Sequence, residues 1–245
     1  MISVDSVYQK VLALANKEQR GYITPQEFNL FADHAQMDIF RQYFYDLDQL
    51  KRQTGSGYES KYHLEEKISL FSSFDNIVSV YNTEGDISLS DIEDFYKLTS
   101  VRVNYNNNGE KQASHISQKE YSLYSSSPLI QNSGKIAPYY VYAQGIGSYS
   151  GKIRVYPYAD PLSDIVKIDY IKKPKKPNWT YVIVNENAMF NPSADVGWYD
   201  FELHHSEENL LVIKILQLAG INIKDGSLVQ LAAQEEIKKI QQEKA

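Results

Sequence analysis

The residues whose types and spacing best suit chemistry are a run of lysines that ends beside an aromatic residue. The lysines are Lys172, Lys173, Lys175 and Lys176, and the aromatic residue is Trp179. Ammonium groups neutralise phosphates and an indole can stack on a base, so this combination is typical of a nucleic-acid site. In the alternative interpretation, Pro174 and Pro177 end a strand and the lysines protect its edge. The run is therefore a candidate contact for DNA or for a neighbouring subunit.

A second stretch, residues 16–27, has some of the spacing of a calcium-binding loop. Gly21 occupies the sixth position of such a loop and Glu27 the twelfth. Calcium needs several carboxylate oxygens, whereas this stretch offers only Glu18 and Glu27 and would direct the cation of Arg20 at the metal. We therefore expect a corner between two helices here and no metal site.

Other motifs of catalysis or cofactor binding are missing from the sequence. It contains no P-loop, no dinucleotide-binding glycine pattern, no G-x-S-x-G and no H-E-x-x-H. His204 and His205 are adjacent and the remaining histidines are scattered, so none has the spacing of a metal site. The sequence predicts neither an enzyme nor a cofactor. Because active sites can assemble from distant residues, a small hydrolase of unrecognised type stays open as a rival.

The composition indicates a soluble, globular protein. The chain has 245 residues, of which 42% are hydrophobic and 23% charged, enough for one large domain or two intertwined subdomains. We expect no membrane association, because the N-terminus lacks a signal-peptide pattern and no apolar run is long enough to cross a bilayer. There is no cysteine, and the net charge is −6. That charge disfavours wrapping by nucleic acid, but it allows a channel through which DNA passes.

The spacing of apolar residues predicts a small helical bundle at the N-terminus. Ser3 can cap a first helix. Thr24 and Glu27 form a capping box, with Pro25 at the first helical position, for a second helix of about seven turns. A third helix is expected over residues 61–71.

Alternation of apolar and polar residues predicts strands through the middle of the chain. A hairpin is expected from residues 76–81 and 86–89 around Glu84 and Gly85, and a strand over 98–105. Three further strands are predicted within 138–145, 151–161 and 164–174. Short links with Gly or Pro favour an antiparallel meander of these three, with residues 179–184 as a candidate fourth member.

The C-terminal part is predicted to be helical again. Ser206 is expected to cap a helix over residues 207–219, directly followed by Gly220. Ser227 then begins a last helix, which becomes increasingly polar towards its end and is either a docking arm or a surface helix. Its apolar residues are Leu228, Leu231, Ala232, Ile237 and Ile240.

These elements predict an α+β fold. The expected organisation is an N-terminal helical bundle over residues 1–75, a small, mainly antiparallel β domain with an inserted loop over 76–200, and C-terminal helices over 201–245.

The order of the predicted strands resembles one protein family. A Pro-aromatic-aromatic strand (PYYVYAQG) is followed by a glycine turn, a strand ending in Tyr-Pro (GKIRVYPYADP) and a strand ending in Tyr-Ile-Lys-Lys-Pro (DIVKIDYIKKP). This order is similar to that in the β domain of head-to-tail connector proteins of short-tailed phages. These are the adaptor or tail tubular protein A type, with relatives among the neck ring proteins of crAss-like phages. The similarity extends from residue 138 to the C-terminal end, with weaker support at the N-terminus.

The resemblance implies a structural virion protein at the head-to-tail junction, assembled in the host cytoplasm. Relatives form a ring, twelvefold, between the portal protein and further neck or tail ring proteins, and double-stranded DNA passes through it. They dock on the portal through helical C-terminal regions, which makes the five apolar residues of the last helix candidate portal-docking residues. An Asn- and Ser-rich insert over residues 104–134 sets this chain apart from the shortest relatives. The rival function is a nucleic-acid-binding module that uses residues 172–179.

Overall fold

The structure is a computed structural model that describes most of the chain. The described residues are 1–17, 23–52, 58–78, 86–89, 92, 94–105, 109–126, 139–143, 151–156, 164–185, 187–192 and 197–220. The fold is α+β, as the sequence predicts. Within these ranges, no helix combines the length and the apolar character that crossing a membrane requires.

The described residues form the following helices and strands, each kind numbered in chain order. The helices are α1 (Val4–Lys17), α2 (Pro25–Arg52), α3 (Tyr58–Ser69), α4 (Gln118–Ser126) and α5 (Glu208–Leu218), the last preceded by a 3₁₀ turn at His205–Glu207. The strands are β1 (Ser72–Val78), β2 (Asp86–Ser88), β3 (Phe95–Asn104), β4 (Glu110–Gln112), β5 (Ser114–His115), β6 (Tyr139–Ala143), β7 (Lys152–Tyr156), β8 (Ile165–Lys172), β9 (Tyr181–Val184) and β10 (Asn187–Phe190).

Two compact units share these elements. Unit 1 combines Met1–Leu70 with the chain from Pro174 onward, and unit 2 is Phe71–Lys173. The sequence predicted three consecutive segments, with boundaries after residues 75 and 200. The structure instead groups β9 and β10 with the N-terminal helices, because residues 174–203 make their hydrogen bonds with α1, α2 and the N-terminal residues.

Capping side chains begin the helices where the sequence predicts them. The Thr24 hydroxyl accepts the Glu27 N–H at 3.3 Å, and the Glu27 carboxylate accepts the Thr24 N–H at 3.0 Å, which confirms the capping box. Ser3 caps α1 by accepting the Ser6 N–H at 3.4 Å. The apolar face of α2 is buried at Phe28, Ala32, Ala35, Ile39, Tyr43 and Leu50.

The end of α5 agrees with the prediction, but its start does not. His204 supplies the capping side chain, because its Nδ1 accepts the Ser206 N–H at 3.3 Å, ahead of the 3₁₀ turn. Ser206 was expected to be the cap, but it lies one residue before Glu207, which occupies the N-cap position of α5 and makes no side-chain capping hydrogen bond. Gly220 has a φ of +69°, the left-handed conformation that ends many helices and that glycine adopts without a Cβ penalty.

Two extended segments of unit 1 depend on α2 for their hydrogen bonds. Gln36 is fully buried, its Nε2 donates to the Lys175 carbonyl at 2.7 Å, and its Oε1 accepts the Glu202 N–H at 3.1 Å. Asn29, two turns earlier, donates to the Trp179 carbonyl at 3.1 Å and accepts the Trp179 N–H at 2.8 Å. Backbone polar groups away from water must be paired. These two side chains, the amide clamp, therefore replace a neighbouring strand.

Unit 2 is built from two four-stranded sheets with the strand orders β1-β8-β3-β4 and β2-β7-β6-β5. One hydrophobic cluster takes buried residues from both sheets, which therefore pack face to face. The predicted alternation of apolar and polar residues identifies the buried faces correctly. The cluster contains Val166 and Ile168 of β8, and Ile153 and Val155 of β7.

Three predicted strand arrangements are wrong. β6 and β7 pair antiparallel as expected, but β8 lies between β1 and β3 in the other sheet, so the three strands form no meander. β1 and β2 form no hairpin either, since they pair with β8 and β7; the expected turn at residues 84–85 lies outside the described residues. β9 pairs with β10 and joins neither sheet. Alternation determines which side of a strand is buried, but it does not determine the partner strand.

Replacing Gln36 by Leu should lower the free energy of unfolding by about 2 kcal/mol, because the Lys175 carbonyl and the Glu202 N–H then lose their partner. Urea denaturation measures this change. The control is Gln42→Leu on the exposed side of the same helix, which should alter stability by less than about 0.5 kcal/mol. Equal effects of the two substitutions would show that the clamp does not stabilise unit 1.

Candidate functional site

The lysine run lies where the two units join along the chain, and all four side chains are exposed. Lys172 ends β8, and its backbone N–H donates to the Phe71 carbonyl at 2.8 Å. Lys173 is the last residue of unit 2, and Lys175 and Lys176 belong to unit 1. The predicted strand end at Pro174 is confirmed.

Both lysines in unit 1 face groups of their own unit. The Lys175 Nζ lies 5.4 Å from the centroid of the Tyr199 ring, a cation–π arrangement. The Lys176 Nζ lies 3.7 Å from a carboxylate oxygen of Asp33, although the Lys176 side chain remains mostly exposed. Such exposed contacts are weak, so both ammonium groups can exchange them for a partner.

Trp179 does not act as predicted. The side chain is 1% exposed, stacks on Tyr181 and Phe190, and donates its indole N–H to Asp5 at 2.9 Å. Tyr8 covers it at a ring-centroid distance of 4.3 Å. A base cannot reach this ring, so Trp179 is a core residue and is neither a stacking platform nor a subunit contact. The sequence places Trp179 beside four lysines and so gave no sign that its side chain is buried. The burial depends on contacts with Tyr8 and Asp5 of α1.

Other predicted positions lie outside the described residues. They include the candidate docking residues Leu228, Leu231, Ala232, Ile237 and Ile240, and also residues 18–22 of the calcium-like stretch. Among the residues that the structure does describe, no group of three or more His, Asp or Glu side chains could hold a metal ion.

A buried ion pair in unit 1 was not expected from the sequence. Glu207 is 2% exposed, and Lys67 of α3 places its Nζ 2.9 Å from the Glu207 Oε1. The Lys67 Nζ also lies 5.7 Å from the centroid of the Tyr43 ring. A buried carboxylate is tolerated only with such a partner. The pair ties α3 to the turn before α5, and a single sequence offers no signal for it because the partners are distant along the chain.

A charged network covers one face of a sheet in unit 2. The Arg102 guanidinium contacts Asp75 and Asp169 at 2.8 Å each, and Glu110 at 3.3 Å. Burial raises the pKa of Asp169, but hydrogen bonds from Ser100, the Asp75 backbone and Arg102 outweigh burial and hold that pKa below its ordinary value. Asp169 is therefore charged and paired with Arg102, which suits a structural role.

The β9–β10 hairpin carries a further surface that the sequence did not reveal. Four apolar side chains of this hairpin are largely exposed, and we call them the hairpin surface: Val182, Ile183, Val184 and Met189. The signal was available as an uninterrupted apolar run, Tyr181–Val184, which is typical of a strand covered on both faces.

Neither protein-family models nor curated proteins give a match to this chain.

The purified protein should bind duplex DNA weakly or not at all at physiological salt, because its net charge of −6 opposes association with phosphates. Fluorescence anisotropy with a labelled duplex measures this binding. A variant with glutamine at residues 172, 173, 175 and 176 is the control. Tight binding with a steep salt dependence that the control variant loses would favour the nucleic-acid module.

The melting temperature should fall as the pH drops from about 7.5 to 5.5, in part through His204. Burial, and then the neighbouring His205, lower the pKa of His204, despite an opposing effect of Glu66. The fold therefore favours neutral His204, so its contribution is present above the ordinary histidine pKa and is lost as the pH falls through the lowered value. His204→Asn keeps a capping acceptor without titrating, and its melting temperature should fall less over this range. Equal falls would contradict this assignment.

Proposed function

We propose that the protein is a structural virion component, a ring-forming head-to-tail connector that joins the portal to the tail and lines the genome channel. The order of the three strands β6, β7 and β8 supports this proposal, since it is the order that resembles the phage connectors. The resemblance concerns sequence order and spacing, so the position of β8 in a second sheet does not alter it.

The observation that carries the proposal is the hairpin surface. Ile183 is 70% exposed, and its apolar neighbours on β9 and β10 are about half exposed. Contiguous apolar side chains on a protein surface mark a site of association. The polar clusters of the described residues, by contrast, are explained by internal pairing, as in the amide clamp, the Lys67–Glu207 pair and the Arg102 network. This distribution favours assembly over catalysis.

The charge balance agrees with a channel protein. A net charge of −6 gives identical subunits a lumen that repels phosphate, so DNA can slide through without binding. Four exposed lysines in one short segment favour the alternative, a nucleic-acid-binding module. The burial of Trp179 removes the aromatic component of that alternative.

Quantitative mass spectrometry of purified particles tests the proposed function directly. We expect the chain in mature virions at a copy number equal to that of the portal protein, because relatives form twelvefold rings on a portal. Class averages of the isolated protein should show either a monomer or a ring with an open centre. Absence from purified particles, or a copy number far from that of the portal, would refute the connector assignment.

Deleting residues 227–245 should leave a folded protein with a nearly unchanged melting temperature, because the sequence gives this segment only a narrow apolar stripe, which predicts little burial within its own subunit. The same truncation should abolish sedimentation with purified portal rings. The matched control is the full-length chain with Leu228→Asp and Leu231→Asp, which should also lose portal binding. A truncated protein that unfolds would place the segment in the core, and one that still binds the portal would place the joint elsewhere.

A further inference from the structure

The two faces of the β9–β10 hairpin are both apolar. Residues opposite each other in an antiparallel pair share a face. Met189 lies opposite Val182 on one face, and Ala188 lies opposite Ile183 on the other. Tyr181 and Phe190 close the base of the second face and stack on buried Trp179. The base is thus fixed to the core, while the hairpin surface projects beyond it.

The hairpin lacks the features that protect an exposed sheet. A two-stranded hairpin is only marginally stable in water unless a helix or further strands cover it. Protected edges carry a bulge, a proline or a charge. β1 has such protection, a bulge between Ser73 and Asn76 that presents Asp75. β9 and β10 pair in continuous register, and neither strand contains a charged residue or a proline. The hairpin is therefore built to be covered.

A basic border adjoins the base of the hairpin. Tyr199 pairs with Asn178, the residue before Trp179, and Lys175 lies over the Tyr199 ring. Lys176 is next along the chain and is exposed. A partner that fits this surface offers an apolar face with acidic residues beside it.

The exposed side of α3 has that composition. Tyr62 is 65% exposed and Leu70, just after the helix, is 56% exposed. They stand four residues on either side of Glu66, so all three lie on one stripe. Glu65 is beside it, and both carboxylates are exposed; Glu65 lies 3.6 Å from Lys61 and Glu66 lies 3.7 Å from His63 on the same helix. We call Tyr62, Glu65, Glu66 and Leu70 the α3 stripe.

We propose that one face of the hairpin, the face that carries Ile183 and Ala188, docks on the α3 stripe of a second copy of this chain, with Lys175 and Lys176 facing Glu65 and Glu66. Helix-on-sheet packing on this face covers Ile183 of the hairpin together with Tyr62 and Leu70 of the α3 stripe. In this orientation the lysines of one copy face the glutamates of the other. Their attraction opposes the general repulsion between two acidic chains.

The contact joins two different surfaces, so after one contact the first copy still has a free α3 stripe and the second copy a free hairpin. Copies that add head to tail in this way form a closed ring or an open filament, whereas a reciprocal exchange of the contact between two copies forms a two-fold dimer. This inference rests on the proposed function, for which it names the joint between neighbouring subunits.

Cysteine cross-linking of the full-length chain tests the contact, since the protein has no cysteine of its own. One preparation carries Ile183→Cys and a second, differently tagged, carries Tyr62→Cys. The two are mixed at about 100 μM under mild oxidation, which traps even weak, rapidly dissociating contacts. Controls are Ile183→Cys alone and Ile183→Cys mixed with Leu123→Cys, an equally exposed position on α4.

The mixed pair of Ile183→Cys and Tyr62→Cys should cross-link several-fold faster than either control. The doubly substituted chain should give a ladder of covalent oligomers. Fastest cross-linking of Ile183→Cys with itself would indicate a two-fold contact, and rates equal to the controls would indicate no contact; each result overturns the proposal. A cross-link within one chain would also overturn the proposal. So would an Ile183→Cys thiol that becomes reactive only after residues 227–245 are deleted, because that segment would then be what covers the hairpin.

A charge exchange tests the orientation of the contact. Lys175→Glu with Lys176→Glu on the hairpin copy should slow the cross-link roughly tenfold at low salt. Glu65→Lys with Glu66→Lys on the other copy should restore it, and the absence of rescue would refute the proposed pairing. The reaction needs no portal, so it separates the two proposals. Cross-linking of a protein that does not bind the portal would refute the connector assignment but not this contact. A ring on the portal that does not cross-link would refute this contact but not the connector assignment.

Discussion

The requirement that buried backbone groups be hydrogen-bonded shapes unit 1 more than any other constraint. Residues 174–180 and 199–203 are extended, but they form only isolated bridges, so a regular sheet does not satisfy them. Asn29 and Gln36 on α2 satisfy them instead. Because both side chains lie on the same rigid helix, the two segments are fixed relative to it. The amide clamp thereby holds the backbone at Lys175, Trp179 and Glu202.

The hairpin surface is a consequence of that clamp. Asn29 holds the backbone of Trp179, whose ring is enclosed by Tyr8, Tyr181 and Phe190. The core aromatic cluster thus includes the base of β9 and β10, and the rest of the hairpin extends into solvent. Because the base of the hairpin is rigid and the apolar side chains are already in place, association at this surface costs little conformational entropy.

Unit 2 follows a different principle, in which strands rather than clamps satisfy the backbone. Its two sheets enclose one apolar core, and the charged residues of the outer face pair with each other around Arg102. Among the described residues, the Arg102 network of unit 2 and the Lys67–Glu207 pair of unit 1 compensate their own charges, so these polar side chains stabilise the fold.

The sequence alone determined the local structure of this protein. Capping residues such as Thr24 and Glu27, the spacing of apolar residues along α2, and the alternation in β7 and β8 depend on neighbours a few residues away, so the helices, strands and buried faces could be predicted. Only the tertiary structure decided which strands pair, that Trp179 is buried, and that His204 caps the turn before α5. These features depend on contacts between residues far apart in the chain, as between Asn29 and Trp179. Such contacts leave no periodic signal in one sequence, because many partners would satisfy the same buried group equally well.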